Sequence, residues 1–190
     1  MTAMASRRLP TLYLMTDPAR GDPAAAMRAL PRGAAVIFRH YEAADREALA
    51  RALRHLARAR GLVFLVAGDP RLAALVGADG FHAPERLVHR IAAARRLMPH
   101  GLMSAAAHGA PGVLAARRAG ADAVLISPVF ATASHPGARG LGPVRFAALA
   151  RLADGKAVAL GGMDGRALRR LRGSGAAGYA AIAAFARPPG

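Results

Sequence analysis

The 190-residue sequence predicts an α/β fold, a small single-domain (β/α)8 barrel spanning residues 1–190. Short apolar segments alternate with longer segments rich in alanine, leucine and arginine, and no linker or low-complexity tract interrupts them. Segments that are apolar on both faces, each followed by an amphipathic helix, are typical of a parallel sheet with right-handed crossovers. Periodicity alone does not separate a closed barrel from an open, doubly wound sheet, and the count of eight apolar segments favours the barrel.

The order of elements follows from this alternation. We expect strands at 11–16, 34–40, 62–67, 80–83, 101–107, 123–130, 157–162 and 178–185. We expect helices at 22–31, 43–60, 69–76, 85–98, 110–119, 143–153 and 164–173. Residues 1–10 are expected to form a flexible N-terminal extension, and the little chain after Phe185 predicts a short or missing final helix. In "GADGFH", "GADAVLI" and "GAAGYAAI", at 77, 120 and 175, a glycine should end a helix in a left-handed cap.

The composition limits the classes of partner. The net charge of +16 is carried almost entirely by arginines, which recur at helical spacing in "RALRHLARAR" and therefore indicate solvated helix faces. Only 5% of residues are aromatic, so we expect a small anionic ligand rather than a nucleic acid. Arginines interrupt every apolar run before the roughly 20 residues of a membrane span, and we expect a cytoplasmic protein without a signal peptide. The absence of cysteine excludes disulfides, thiolate catalysis and zinc-thiolate sites.

In such a barrel the loops after the strands carry the chemistry. The segment "ISPVFATASHPGARGLGP", 126–143, leaves an apolar strand for hydroxyls and glycines. A surface loop would explain this change, and a binding loop would explain it better. Thr132 and Ser134 could donate hydrogen bonds to an anion, while Gly140 and Gly142 let the backbone fold over a ligand.

Two further features follow other strands. Gly161 and Gly162, after the seventh strand, could seat a phosphate on backbone amides or could simply form a tight turn. His108, after the fifth strand and before a helix, is suited to general acid/base catalysis, because the positive end of the helix should depress its imidazole pKa. As alternatives, it could be a helix cap or a surface residue. His82 is interpreted as structural, and no partner is evident for His40, His55, His89 or His100.

These segments together resemble the thiamine phosphate synthase and TenI family. The resemblance rests on five blocks that keep their order and spacing: "LYLMTD" at 12–17, "GADGFH" at 77–82, "GADAVLISPVFATASHPGARGLG" at 120–142, "ALGGM" at 159–163 and "GYAAIAAF" at 178–185. It implies a TIM barrel that acts in thiamine biosynthesis and binds a thiazole phosphate. By the same resemblance, the phosphate would be held by Thr132, Ser134, the turn at Gly161 and Gly162, and the amides near Ile182 and Ala183.

The resemblance also implies where this chain departs from the synthase branch. That branch joins a pyrimidine diphosphate to the thiazole phosphate and uses Mg²⁺ to neutralise the departing pyrophosphate. Its arginine-x-lysine after the second strand is reduced to Arg39, and the lysine of the sixth-strand loop is replaced by His135. Both residues are still expected to contact substrate. The family serine before the histidine of the fifth-strand block is Ala106 here.

The magnesium ligands are the largest departure. The asparagine-aspartate pair after the third strand falls on Ala67 and Gly68, and the second aspartate falls near Leu87. Only Asp69 and Glu85 stand close enough to be weak candidates for metal ligands. No histidine spacing resembles a known metal cluster.

Three functions are compatible with this pattern. A TenI-like thiazole tautomerase would use His108 as its acid/base and needs no metal, so the missing acids favour it. A divergent thiamine phosphate synthase would need Mg²⁺. A non-catalytic protein would only bind the phosphate ligand. A homodimer is compatible with the small size of the barrel.

Overall fold

The computed structural model describes residues 9–131 and 140–182. Each strand begins within one residue of its predicted start. The strand predicted at 123–130 ends four residues early, at Ile126, and residues 183–185 of the strand predicted at 178–185 lie outside the described residues. The eight strands are β1 (Leu12–Met15), β2 (Ala35–Phe38), β3 (Val63–Ala67), β4 (Gly80–Ala83), β5 (Leu102–Ala107), β6 (Ala123–Ile126), β7 (Ala157–Leu160) and β8 (Gly178–Ala181). Within the described residues the seven α-helices are α1 (Pro23–Arg28), α2 (Arg46–Arg60), α3 (Pro70–Leu75), α4 (Ile91–Leu97), α5 (Ala110–Arg118), α6 (Gly142–Leu152) and α7 (Gly165–Arg170). Two 3-10 helices cover Pro18–Arg20 and Glu85–Arg90, and the second of them forms the first part of the helix expected at 85–98.

The strands form a closed, fully parallel barrel in chain order. Each strand pairs with the next, and β8 pairs with β1 through the register partners Leu12 and Tyr179. The structure therefore confirms the predicted small α/β barrel and excludes the open sheet.

Side chains alternate between the inside of the barrel and the helices around it, as the two-residue period of a strand requires. In β1, Tyr13 and Met15 belong to a buried cluster that fills the interior, whereas Leu14 packs toward the helices. The interior cluster takes such alternate residues from around the barrel, and two larger clusters pack the other strand faces against the helices. Closing the sheet thus buries both faces of each strand, which explains why the strand segments read as continuously apolar.

The amino-terminal side of the barrel is stabilised by a repeated aspartate. Asp79 precedes β4; its Oδ2 accepts a hydrogen bond from the backbone N of Phe64 at 2.8 Å, and its Oδ1 lies 3.0 Å from Arg54 Nη2. Asp122 precedes β6 and accepts from Met103 N at 2.8 Å, while Arg95 Nη2 lies 2.9 Å away. The shared "GAD" segments therefore serve barrel assembly at the face opposite the strand ends.

Two of the three glycine caps predicted from the same segments are confirmed: Gly77 and Gly120 follow the C-terminal ends of α3 and α5 with φ angles of 62° and 80°, in the left-handed region. The cap predicted at Gly175 was wrong, because α7 ends at Arg170; Gly175 has a φ angle of 81° in the turn before β8. Of the expected N-terminal extension, Leu9 packs against the interior cluster and Pro10 is buried, while residues 1–8 lie outside the described residues. The segment after Ile182, where a short or missing final helix was expected, lies outside the described residues. Among the described helices, none has the length and apolarity to cross a membrane.

Candidate functional site

The carboxyl ends of the strands surround a cavity of about 580 Å³. It opens on the face where the chemistry was expected, because parallel strands all end on one side of a barrel. Its lining residues are Met15, Asp17, Arg39, Tyr41, His82, Pro84, Glu85, Arg86, Ala106, His108, Ser127, Leu160 and Ile182. The fold thus brings Arg39, His108 and Ile182, predicted from three separate loops, to one mouth.

His108 follows β5 directly and precedes α5 by two residues. Its Nδ1 lies 2.9 Å from the carbonyl oxygen of Ser127 and 3.3 Å from the hydroxyl of the same residue. A carbonyl oxygen only accepts hydrogen bonds, so Nδ1 carries a proton and donates it. In the neutral ring the lone pair is therefore on Nε2. The side chain is 55% exposed, so a ligand in the cavity can reach Nε2.

Glu85 faces the same imidazole from the segment after β4. Its Oε2 lies 3.7 Å from His108 Nε2, and its Oε1 accepts a long hydrogen bond of 3.5 Å from the backbone N of His108. The sequence placed Glu85 among candidate metal ligands, yet its carboxylate is directed at the histidine. A carboxylate in this place stabilises the ring when Nε2 takes up a proton.

A second cavity, of about 300 Å³, adjoins the mouth. Three residues line both cavities: Asp17, Arg39 and Tyr41. His40 forms its buried wall, with Nδ1 3.0 Å from Thr16 Oγ1 and the ring stacked on Phe38. The expectation that His40 has no evident partner was therefore wrong. Its partner is Thr16, which lies 24 residues away in the sequence. Thr16 Oγ1 also accepts a hydrogen bond of 3.0 Å from Arg39 N, which fixes the backbone that carries Arg39.

His82 lies below the mouth, inside the barrel. Its Nδ1 is 2.9 Å from the hydroxyl of Ser104, its register partner on β5, and only 2% of the residue is exposed. Burial, and to a smaller extent the positive charge of Arg39, lowers the pKa of His82 to about 3. His82 is therefore neutral under ordinary conditions. It supplies a hydrogen-bonding floor to the cavity, in line with the structural interpretation of this residue.

The glycine pair after β7 packs against the loop after β6. Gly161 and Gly162 have φ angles of 97° and 64°. A Cβ on Gly162 would lie 2.7 Å from the carbonyl oxygen of Ala131, and a Cβ on Gly161 would lie 3.0 Å from Pro128 Cα. Backbone conformation and packing both require glycine, so the tight-turn interpretation has a clear physical basis. The phosphate seat at this turn stays a prediction.

The loop after β6 returns against its own start. A Cβ on Gly140 would lie 2.7 Å from the carbonyl oxygen of Val129, and Gly142 N donates a hydrogen bond of 2.9 Å to the same oxygen. Gly140 and Gly142 therefore hold the two ends of the loop together beside the glycine pair. Four predicted phosphate or substrate contacts lie outside the described residues, and their roles stay predictions: Thr132, Ser134, His135 and Ala183.

The side chains at the mouth do not fit the magnesium site that the family resemblance implies. Ala67 and Gly68 offer no side-chain oxygen. Asp69 caps α3, where its Oδ1 accepts hydrogen bonds from Arg71 N and Leu72 N at 2.9 and 3.0 Å, and it does not line the cavity. Within residues 9–131 and 140–182, no group of three or more histidine, aspartate or glutamate side chains is placed to hold a metal ion. Oxygen-rich coordination of Mg²⁺ is thus not provided by this part of the chain.

Sequence reasoning did not identify Arg86, which lines the cavity, or the contact of Glu85 with His108, although it named Glu85 as a candidate metal ligand. The sequence contained one indication of both residues: "PER", 84–86, directly follows the fourth strand, and a barrel loop at this place is expected to face the ligand.

The fold and the mouth together define a (β/α)8 barrel whose cavity places a histidine beside cationic side chains. A family model described as thiamine monophosphate synthase matches residues 12–185. The chain therefore belongs to the thiamine monophosphate synthase (TMP-TENI) family, as the sequence blocks predicted.

Individual relatives agree with this assignment. The chain is 33% identical to a thiamine-phosphate synthase of Geobacillus kaustophilus over 77% of this chain and 66% of the relative. It is 32% identical to a thiamine-phosphate synthase of Chloroflexus aurantiacus over 91% of this chain and 83% of the relative. A solved structure of thiamine phosphate pyrophosphorylase from Pyrococcus furiosus superposes with a TM-score of 0.76 at 22% identity, covering 93% of this chain and 87% of that one. The last match shows the common fold.

These comparisons support an enzyme of thiamine biosynthesis. They give no support to the predicted preference for an isomerase over a synthase, because the relatives are named synthases. The alternative prediction, a divergent synthase, is the better supported of the two by this comparison.

Proposed function

We propose that this protein binds a thiazole phosphate and isomerises its ring by proton transfer through His108. The observation that carries the proposal is the state of His108: Nδ1 is committed to the Ser127 carbonyl, and Nε2 faces an open cavity beside a carboxylate. A proton taken from one ring position can be returned to another from the same nitrogen, so one residue is sufficient for this chemistry.

The proposed binding mode follows the arrangement of the mouth. The phosphate would lie toward Leu160 and Ile182, which line the cavity at the ends of β7 and β8, where backbone amides of the following turns could donate hydrogen bonds to an anion. The heterocycle would then extend toward His108. Arg39 lines the same cavity and adds positive charge for the phosphorylated ligand.

The proposed step is a pair of proton transfers. The Nε2 lone pair takes a proton from a carbon of the thiazole ring, and the electron pair of that C–H bond stays in the ring. The resulting imidazolium returns the proton at a second ring position. No group leaves and no electron is gained or lost by the protein, so His108 is regenerated as the neutral Nδ1–H tautomer.

Coupling of a pyrimidine diphosphate to the thiazole phosphate is the second candidate, and the names of the relatives favour it. Among the described residues, Arg39 and Arg86 line the mouth and are the cations that could contact the diphosphate. Mg²⁺, which the family resemblance implies for this reaction, does not fit the described side chains.

One incubation separates the two reactions. Purified protein is given the thiazole phosphate in D2O, with and without pyrimidine diphosphate and Mg²⁺, and ¹H NMR follows the thiazole isomers and thiamine phosphate. We expect interconversion of isomers without metal. Formation of thiamine phosphate without isomer interconversion would overturn the proposal in favour of coupling.

A matched pair of variants tests the role of His108. His108→Asn keeps a donor near the Ser127 carbonyl and removes Nε2, so it should lower kcat by at least about a hundredfold with little change in substrate affinity. His55→Asn, on the exposed face of α2, is the control and should behave as wild type. Full activity of His108→Asn would exclude proton transfer by this residue.

A further inference from the structure

We infer that Glu85 is a positioning residue for His108, and that Gly112 of α5 is glycine in order to admit its carboxylate. The inference rests on the proposed proton transfer by His108. It adds a residue that stabilises the protonated form of the base, and it names the feature of the neighbouring helix that makes room for that residue.

Ser127 and Glu85 contact different atoms of His108. Ser127 O holds Nδ1 at 2.9 Å and fixes the tautomer. Glu85 Oε1 contacts the backbone N of His108 at 3.5 Å, and Glu85 Oε2 lies 3.7 Å from Nε2. The ring is thus held from one side by a neutral acceptor, while its other nitrogen faces a negative charge.

This arrangement acts on the intermediate of a proton transfer. When Nε2 is unprotonated, it has no proton to donate to Oε2, which lies 3.7 Å away and only accepts, so the lone pair stays available to substrate. When Nε2 is protonated, the carboxylate is the charge of opposite sign in direct contact with the imidazolium. The other charged or titratable groups around the cavity are Asp17, Arg39, Tyr41, His82 and Arg86. Of the two carboxylates that line the cavity, that of Glu85 is the one in ion-pair distance of His108.

Gly112 supplies the space for this carboxylate. It is the third residue of α5, and its φ angle is not in the left-handed region, so the backbone would accept an alanine. A Cβ at this position would nevertheless overlap Glu85 Oε1 and lie 2.9 Å from the Glu85 carboxyl carbon. Helix interiors disfavour glycine, and this chain uses alanine freely elsewhere in its helices. Glycine at this position therefore lowers the helix propensity of α5, and its missing side chain leaves room for the contact between Glu85 and His108.

Two variants remove the contact in different ways. Glu85→Gln keeps the shape of the side chain and removes its charge. Gly112→Ala keeps the charge and displaces the carboxylate. The matched controls are Glu47→Gln, on the exposed face of α2, and Gly165→Ala, in α7, where the nearest atom to an added Cβ is 3.9 Å away. Thermal unfolding of all four variants first establishes that they fold.

In the isomerisation assay, Glu85→Gln and Gly112→Ala should each lower kcat about five- to tenfold with KM nearly unchanged, as expected for loss of a partly exposed charge pair. The double variant should lose no more than either single variant, because both remove the same contact. Both controls should retain wild-type kcat. Equal kcat in wild type and Glu85→Gln, or independent losses that multiply in the double variant, would overturn the inference.

A readout without substrate separates this inference from the proposed function. The ¹⁵N resonances of the His108 ring report the surroundings of its two nitrogens. In both test variants these resonances should move from their wild-type positions, because the carboxylate 3.7 Å from Nε2 is neutralised or displaced, and in the controls they should not. If the protein shows no isomerase activity but this shift occurs, the contact stands and the proposed reaction fails. If activity is present and the ring spectrum is unchanged in both variants, the positioning role of Glu85 is refuted.

Discussion

Acid should destabilise this barrel through one buried histidine. His82 is 2% exposed, and its pKa is lowered from the ordinary value of 6.5 to about 3, first by burial and then by the charge of Arg39. Between these two pH values the unfolded chain binds a proton at this site that the folded barrel does not bind. The free energy of unfolding is therefore not reduced by this histidine above pH 6.5, and it decreases progressively as the pH falls toward 3.

The size of the effect follows from the two pKa values. Proton linkage with pKa values of 6.5 unfolded and about 3 folded gives a loss of about 2 kcal/mol between pH 7.5 and pH 5. That is a large share of the roughly 5–15 kcal/mol that stabilises a typical domain. Burial also lowers the pKa of His40, with Asp17 opposing and Arg39 and Arg46 adding to the decrease, so His40 contributes in the same direction.

Urea denaturation at pH 7.5 and pH 5, followed by circular dichroism, measures this difference. His82→Gln keeps a hydrogen-bonding group near Ser104 but cannot take up the proton, so its unfolding free energy should change by about 2 kcal/mol less between the two pH values than that of wild type. His55→Gln, at an exposed position of α2, should retain the wild-type pH dependence. If His82→Gln and wild type lose the same free energy at pH 5, the assignment of acid lability to His82 is wrong.

Three further substitutions test the packing. Tyr13→Phe should raise the unfolding free energy by about 1 kcal/mol, since the buried Tyr13 hydroxyl has no hydrogen-bond partner among the described residues; a decrease in urea denaturation would contradict this. Phe146→Ala should cost about 3–5 kcal/mol in the same assay, because this ring is fully buried between α6 and the barrel; a cost under about 1 kcal/mol would contradict the packing. Gly162→Ala should lower the melting temperature, because a left-handed conformation costs a residue with a Cβ about 1–2 kcal/mol and the added atom approaches Ala131 O; an unchanged melting temperature would show that the turn relaxes.

The barrel was predictable from sequence because its two strongest signals are local. Each strand is a short, continuously apolar segment, and each helix carries arginine on one face and leucine or alanine on the other. The glycines at 77 and 120 mark helix ends for the same local reason, and their φ angles agree. Since parallel strands end on one face, the position of His108 and Arg39 at a common mouth follows from the fold once the strand ends are known.

The contacts within the mouth were not predictable, because they join residues distant in sequence. Glu85 and His108 are 23 residues apart, and only the closure of the barrel brings them together. Asp69 could be read as a metal ligand or as a helix cap; the cap is the observed role, and Pro70 directly after it was the sequence signal for a helix start. The pairing of His40 with Thr16 likewise depends on the register of β1 against β2.

The pairing of β1 with β8 has a consequence for the order of synthesis. β1 is made first, yet its partner spans Gly178–Ala181, so one edge of β1 stays unsatisfied until almost all of the described chain has been translated. Exposed strand edges template aggregation, and parallel partners separated by more than 150 residues form slowly. A nascent chain stalled before residue 178 should therefore need chaperones to avoid aggregation. It should no longer need them once β8 has paired with β1 and closed the barrel.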